Sequence, residues 1–162
     1  MEKTFRFDSL PENRAGLAAL PEAALTDPFA AAALTVAALC RYEADPAAAV
    51  DMLNFLKGPQ PLSTYETQFL RDRLAGKGYK PFSFFDGAAP ANNYTPTLPY
   101  TVTVRDNPYS YTDENYAMLY LTSGGADSPR GVKLRKKGGQ WFLWEQFLLS
   151  DIRTPAKDDP WA

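Results

Sequence analysis

With 162 residues, 45% of them hydrophobic and 22% charged, the chain has the make-up of one ordinary globular domain, long enough to bury a core without disulfide or metal staples. Its net charge of -2 supplies no long-range attraction for nucleic acid or for an anionic membrane. One cysteine and no histidine exclude an internal disulfide, a thiolate zinc cluster and the Ser/His and Cys/His nucleophile pairs.

In chain order, the run from Met1 to Asp8 is charged and lacks the basic start and apolar stretch of a secretory signal, so a cytoplasmic location is the expectation. A short helix is expected near Pro11 to Leu20, interrupted by Gly16 and Pro21. Thr26-Asp27-Pro28 combines N-cap residue types with proline at the first helical position, and Phe29, Ala33, Val36, Ala37 and Cys40 follow at helical spacing. This apolar run is shorter than the roughly 20 residues a bilayer demands, so it predicts a buried helix. Asp45-Pro46 repeats the pattern and predicts a second helix to Lys57, stopped by Gly58-Pro59. Ser63-Thr64-Tyr65-Glu66 fits a capping box, in which serine and glutamate each satisfy a free backbone NH. The helix it opens should bury Tyr65, Phe69, Leu70 and Leu74 and stop at Gly76.

Between residues 77 and 99 no helical or strand period survives, and aromatics are mixed with Gly, Pro and Asn. A long segment of this kind in a compact domain is often functional. Phe85, Asp86, Asn92, Asn93 and Tyr94 within it, and Tyr100 at its end, are therefore the candidate ligand-binding residues. The plainer alternative is a crossover anchored by its aromatics and packed against the sheet edge.

From Tyr100 the period becomes two. Tyr100, Val102 and Val104 oppose Thr101, Thr103 and Arg105; Ala117, Leu119 and Leu121 oppose Tyr116, Met118 and Tyr120; Val132 and Leu134 oppose Lys133 and Arg135. Lys137-Gly138-Gly139 makes a tight turn and Trp141 to Phe147 returns. The whole predicts an α+β domain. Residues 1–76 are expected to be mainly helical, followed by an aromatic loop over 77–99, an antiparallel sheet of about four strands over 100–152, and a surface tail over 153–162. Phe29, Val36, Leu53, Phe69, Leu119, Val132, Leu134 and Leu143 are expected to share one core.

Three stretches carry a resemblance: Pro81-Phe82-Ser83-Phe84-Phe85-Asp86-Gly87, then Pro90 to Pro96, then Pro99 to Val104. Val132 to Glu145 and the closing Asp158-Asp159-Pro160-Trp161-Ala162 extend it. Together they resemble an uncharacterised family of bacterial proteins, a domain of unknown function. The resemblance covers roughly the second half of the chain and implies no catalytic residue. The order of helices before a curved sheet is also similar to cone-shaped folds of the nuclear-transport-factor-like type, a likeness of order alone.

Gly76-Lys77-Gly78 and Gly124-Gly125 lack the remaining residues of a phosphate-binding loop and read as turns. A serine nucleophile would need lysine as its base, and no such pair is visible. Asn93-Tyr94-Thr95 matches a glycosylation sequon, which without a secretory signal reads as coincidence. Asp86, Asp106, Asp113, Glu114 and Glu145 are the acid or base candidates. Turn chemistry is the bland explanation for Asp106 and Asp113, and a strand position opposite a lysine for Glu145. Tyr94, Tyr100, Tyr109, Tyr111, Tyr116 and Tyr120 could line a pocket or simply pack. Lys133, Arg135, Lys136 and Lys137 beside Trp141, Phe142 and Trp144 have the ingredients of a single-stranded nucleic-acid platform, but the net charge argues against one.

These observations lead to the expectation of a non-enzymatic binding or interaction module presenting the sheet and the aromatic loop. The partner is an unknown protein or small molecule, with no cofactor, no metal, no nucleic acid and no membrane. The alternative is a small-molecule pocket protein, up to a carboxylate-dependent enzyme. A closed cavity with convergent carboxylates would favour that alternative; a filled core with an exposed apolar face would favour the module.

Overall fold

Side-chain caps place the helix starts in the computed structural model, which describes residues 1–162. Asp27 accepts the Phe29 amide at the start of α2 (Pro28–Cys40), and Asp45 accepts the Ala48 amide at the start of α3 (Pro46–Lys57). The Ser63 hydroxyl accepts the Glu66 amide and Glu66 accepts the Ser63 amide, so α4 (Thr64–Leu74) opens on a complete capping box. Each cap satisfies donors that the first helical turn leaves free. Before these stands a short α1 (Arg14–Ala18), and after them a single-turn α5 (Tyr79–Phe82).

The strands are β1 (Glu2–Phe7), β2 (Tyr100–Arg105), β3 (Tyr116–Leu121), β4 (Arg130–Lys137) and β5 (Gln140–Gln146). They form one antiparallel sheet of five strands in the order β1-β2-β3-β4-β5. The fold is thus α+β, with all five helices inserted between β1 and β2. β1 adds a strand to the expected meander: Phe5 faces Val102 and Phe7 faces Tyr100 across its register with β2. The alternation of Lys3, Phe5 and Phe7 with Glu2, Thr4 and Arg6 carries the strand period, but its partner lies about a hundred residues downstream.

The core lies between one face of the sheet and α2. Val102, Val104, Ala117, Leu119, Leu121, Val132, Leu134 and Leu143 are buried there with Met52, Leu53 and Leu56 of α3. Every residue of α2 from Phe29 to Cys40 is buried, rather than one face of it. Its alanines let the strands, α3 and α5 approach from several sides at once. Seven of the eight expected core residues join this cluster, and Phe69 does not. It stays half-buried with the Arg73 guanidinium 4.9 Å from its ring centroid, while Tyr65 is 78% exposed. α4 buries only Leu70 and Leu74, so its apolar face is narrower than its spacing suggests.

The β4–β5 hairpin turns at Gly138 and Gly139, both with positive φ (59° and 78°), as a two-residue connection of this twist requires. The register slips between Lys133 and Leu134, which face Glu145 and Leu143, so Trp144 is the extra residue of a bulge. The outer edge of β5 is partly closed. The Trp141 amide donates to Leu25 O at 2.7 Å, and Lys57 Nζ donates to Trp144 O at 3.0 Å.

Candidate interaction surface

The 77–99 segment is a packed crossover. Phe84, Phe85 and Tyr94 are core residues. The Tyr94 ring stacks on Tyr79 at 5.4 Å between centroids, and its hydroxyl donates to Arg153 O at 2.6 Å. Phe85 meets Tyr100 edge-on at 5.4 Å. Asn92 spends its side chain on backbone: Oδ1 accepts the Ala89 and Thr95 amides, and Nδ2 donates to Gly87 O. Asn93 Oδ1 accepts the Lys157 amide and ties the tail to the crossover. Asp86 is exposed, with its backbone bonded to Thr101 and Thr97. Of the six candidates, Phe85, Tyr94 and Tyr100 serve packing and Asn92 and Asn93 serve loop geometry.

No three acidic, cysteine or histidine side chains gather as a metal ion would need. Asp113 accepts the Asn115 amide in a turn. Asp106 instead receives the Met1 amino group at 2.8 Å and the Tyr111 hydroxyl at 3.2 Å. The bond to the Met1 amino group is the main cause holding its carboxyl below the usual range, and burial plus that contact with Asp106 push the Tyr111 phenol up to about 12. Buried Lys80 lies three residues from buried Ser83, yet they form no nucleophile and base pair. Lys80 Nζ donates to Leu149 O, and Ser83 Oγ donates to Lys80 O.

The other sheet face has no layer over it. The side chains of Thr4, Thr103, Arg105, Tyr116, Met118, Tyr120, Lys133, Arg135 and Trp144 are exposed or half-buried, while their alternating neighbours on β2, β3 and β4 are buried. On its β3–β5 side this face combines rings with cations. Lys133 Nζ lies 4.6 Å from the Tyr116 centroid. The Arg135 guanidinium lies 4.7 Å from Trp144 and 5.5 Å from Tyr116, and those two rings meet edge-on at 5.8 Å. On the opposite, core-side face of the hairpin, Lys136 Nζ stands 5.8 Å from Trp141. The bulge therefore brings Trp144 to the cationic strand. Beside this cluster, Met118 and Phe147 flank Gly131, and Phe147 is partly exposed.

Where the face meets the end of α3, a groove of about 310 Å³ opens between Pro59-Gln60 and the hairpin, with Lys57, Arg135, Phe142 and Trp144 among its walls. Lys57 is only 5% exposed, and its ammonium is held by Glu66 Oε2 and Trp144 O, both at 3.0 Å. Partial burial would raise the Glu66 carboxyl, but the Ser63 amide and the Lys57 charge outweigh it and hold the carboxyl low. The hairpin residues of this site are legible as a basic and aromatic cluster. Lys57, Pro59 and Gln60 are not, because a lysine ending a helix before Gly-Pro carries no sign of where that end docks. No helix in the structure is long and apolar enough to cross a membrane.

The model of the family described as a domain of unknown function (DUF6935) matches residues 9–156, and the chain belongs to that family. No curated protein and no solved structure matches it.

Proposed function

We propose that the protein is a non-enzymatic interaction module that binds a partner through the uncovered face of its sheet, centred on Tyr116, Met118, Arg135 and Trp144. The observation that carries this reading is the one-sided burial of β3 and β4: Ala117, Leu119, Leu121, Val132 and Leu134 are buried, whereas Tyr116, Met118, Tyr120, Lys133 and Arg135 are not. An antiparallel sheet can leave one face to water, but that face is then ordinarily polar. Here it carries Trp, Tyr, Met and Arg, the side chains enriched where binding energy concentrates. The core supports the same reading, because the buried side chains of sheet and helices form one continuous cluster. The aromatic loop contributes by packing on β2, where Phe85 meets Tyr100 and the Asp86 amide donates to Thr101 O.

A photo-crosslinking residue placed at Met118 tests this in the cells that make the protein. A discrete covalent adduct is expected there, and none with the same residue at Tyr65, which is well exposed on α4. Adducts of equal yield and size at both positions would contradict the reading.

A further inference from the structure

The cations of the hairpin point to what the sheet face takes. Five of the chain's 17 Lys and Arg residues fall within the eight-residue strand Arg130–Lys137, which has no acidic residue. Arg130 is spent on the carbonyls of Ser128, Ser150 and Asp151. Every ion pair in the molecule lies elsewhere, so Lys133, Arg135, Lys136 and Lys137 have no carboxylate within pairing distance. Glu145 stands across from Lys133 in the register without closing a bridge, and Glu114 lines a shallow depression with Lys136 and Lys137 on the same terms. In the adjoining groove, Lys57 is matched by Glu66, and the remaining charged wall residues are the cations Arg135, Lys136 and Lys137. On a chain of net charge -2, this is a local excess of positive charge beside apolar surface.

We infer that this part of the face binds an extended acidic segment of a protein partner, seated along β4 with one end in the groove beside Trp144; the inference rests on the interaction-module reading above. Spacing supports an extended peptide. Lys133, Arg135 and Lys137 alternate along one face of a strand, which places successive cations roughly 6.7 Å apart, the same interval that separates every second side chain of another extended chain. Carboxylates at alternate positions would meet them in order. Arginine supplies the planar fork that a carboxylate accepts from two sides. Nucleic acid is disfavoured by the same geometry, because stacking needs free ring faces, and here cations already lie over Tyr116 and Trp144.

Fluorescence anisotropy decides it, using a labelled peptide of alternating Glu and Ser, a peptide with equal charge but glutamate at every third position, and an oligothymidylate of equal charge. The expected result is that the alternating peptide binds tightest and weakens as salt rises. Lys137→Glu, at the exposed hairpin tip, and Arg135→Glu should each weaken it at least about tenfold, while Arg71→Glu on α4 leaves it unchanged. Unchanged melting temperatures establish that the variants fold. Equal weakening by Arg71→Glu, indifference to glutamate spacing, or tighter binding of the oligothymidylate would each overturn the inference. A failed peptide titration with a successful Met118 crosslink rejects the acidic segment and leaves the interaction face standing; failure of both rejects the two together.

Discussion

Lys57 Nζ donates to the Trp144 carbonyl at 3.0 Å and so ties the last turn of α3 to β5 at the residue where the strand bulges. The same ammonium meets Glu66, the residue that closes the capping box of α4. One buried cation thus joins two helix ends to the edge of the sheet, and it backs the groove beneath the proposed binding face.

Removing the charge that balances this lysine should be costly even where the cap is kept. Glu66→Gln retains an acceptor for the Ser63 amide but leaves Lys57 buried without a counter-charge, and a loss of about 1–2 kcal/mol is expected, reduced from the fully buried case because the Glu66 side chain is 36% exposed. Urea unfolding of the variant and the parent measures it. The pH dependence has a definite sign. The folded carboxyl is lowered, so its contribution is fully present above the unfolded pKa of glutamate and fades as the pH falls through the folded value. Glu66→Gln should flatten that acid limb of the stability curve.

Gly58 should accept no side chain. Its φ is 63°, and a Cβ built there would overlap the Phe142 ring, which walls the groove. Gly58→Ala is expected to lose about 2–4 kcal/mol through backbone strain and overpacking. Adding Phe142→Leu should return part of that loss, so a double-mutant cycle by chemical denaturation should give a favourable coupling between the two positions.

Cys40 ends the buried α2, and burial pushes its thiol well above its ordinary pKa. It should resist a thiol reagent in the native state and react only through opened molecules, at a rate set by their equilibrium population. In Gly58→Ala the labelling rate should rise in step with the measured loss of stability. Rapid labelling of the parent protein at neutral pH would contradict the packing described for α2.

Much of this architecture is written locally. Asp27, Asp45 and Ser63 mark three helix starts through hydrogen bonds that span two or three residues, and the alternation in β2, β3 and β4 names the core face of the sheet before any partner strand is known. What escaped depends on distant partners. β1 exists because Glu2–Phe7 pairs with Tyr100–Arg105, and Tyr65 and Phe69 stay outside because the core cluster does not reach that side of α4. The candidate site divides in the same way. The cations and rings of the hairpin are adjacent in sequence, whereas the bulge at Trp144 and the docking of Lys57 arise only when α3 meets β5. The missing period of the loop does not show its packing: Phe85 and Tyr94 are core aromatics held by Tyr100, Tyr79 and the Arg153 carbonyl.

The three methionines offer the most direct measurement of the central claim, because Met118 lies on the uncovered face, Met52 is fully buried in the core, and Met1 is 78% exposed at the chain start. In protein labelled with carbon-13 at the methionine methyls and titrated with extract of the cells that make it, the Met118 resonance should shift saturably while those of Met52 and Met1 hold their positions. A shift at Met52 with Met118 unmoved would place the ligand between sheet and helices, as a small-molecule pocket protein demands, and would contradict the account.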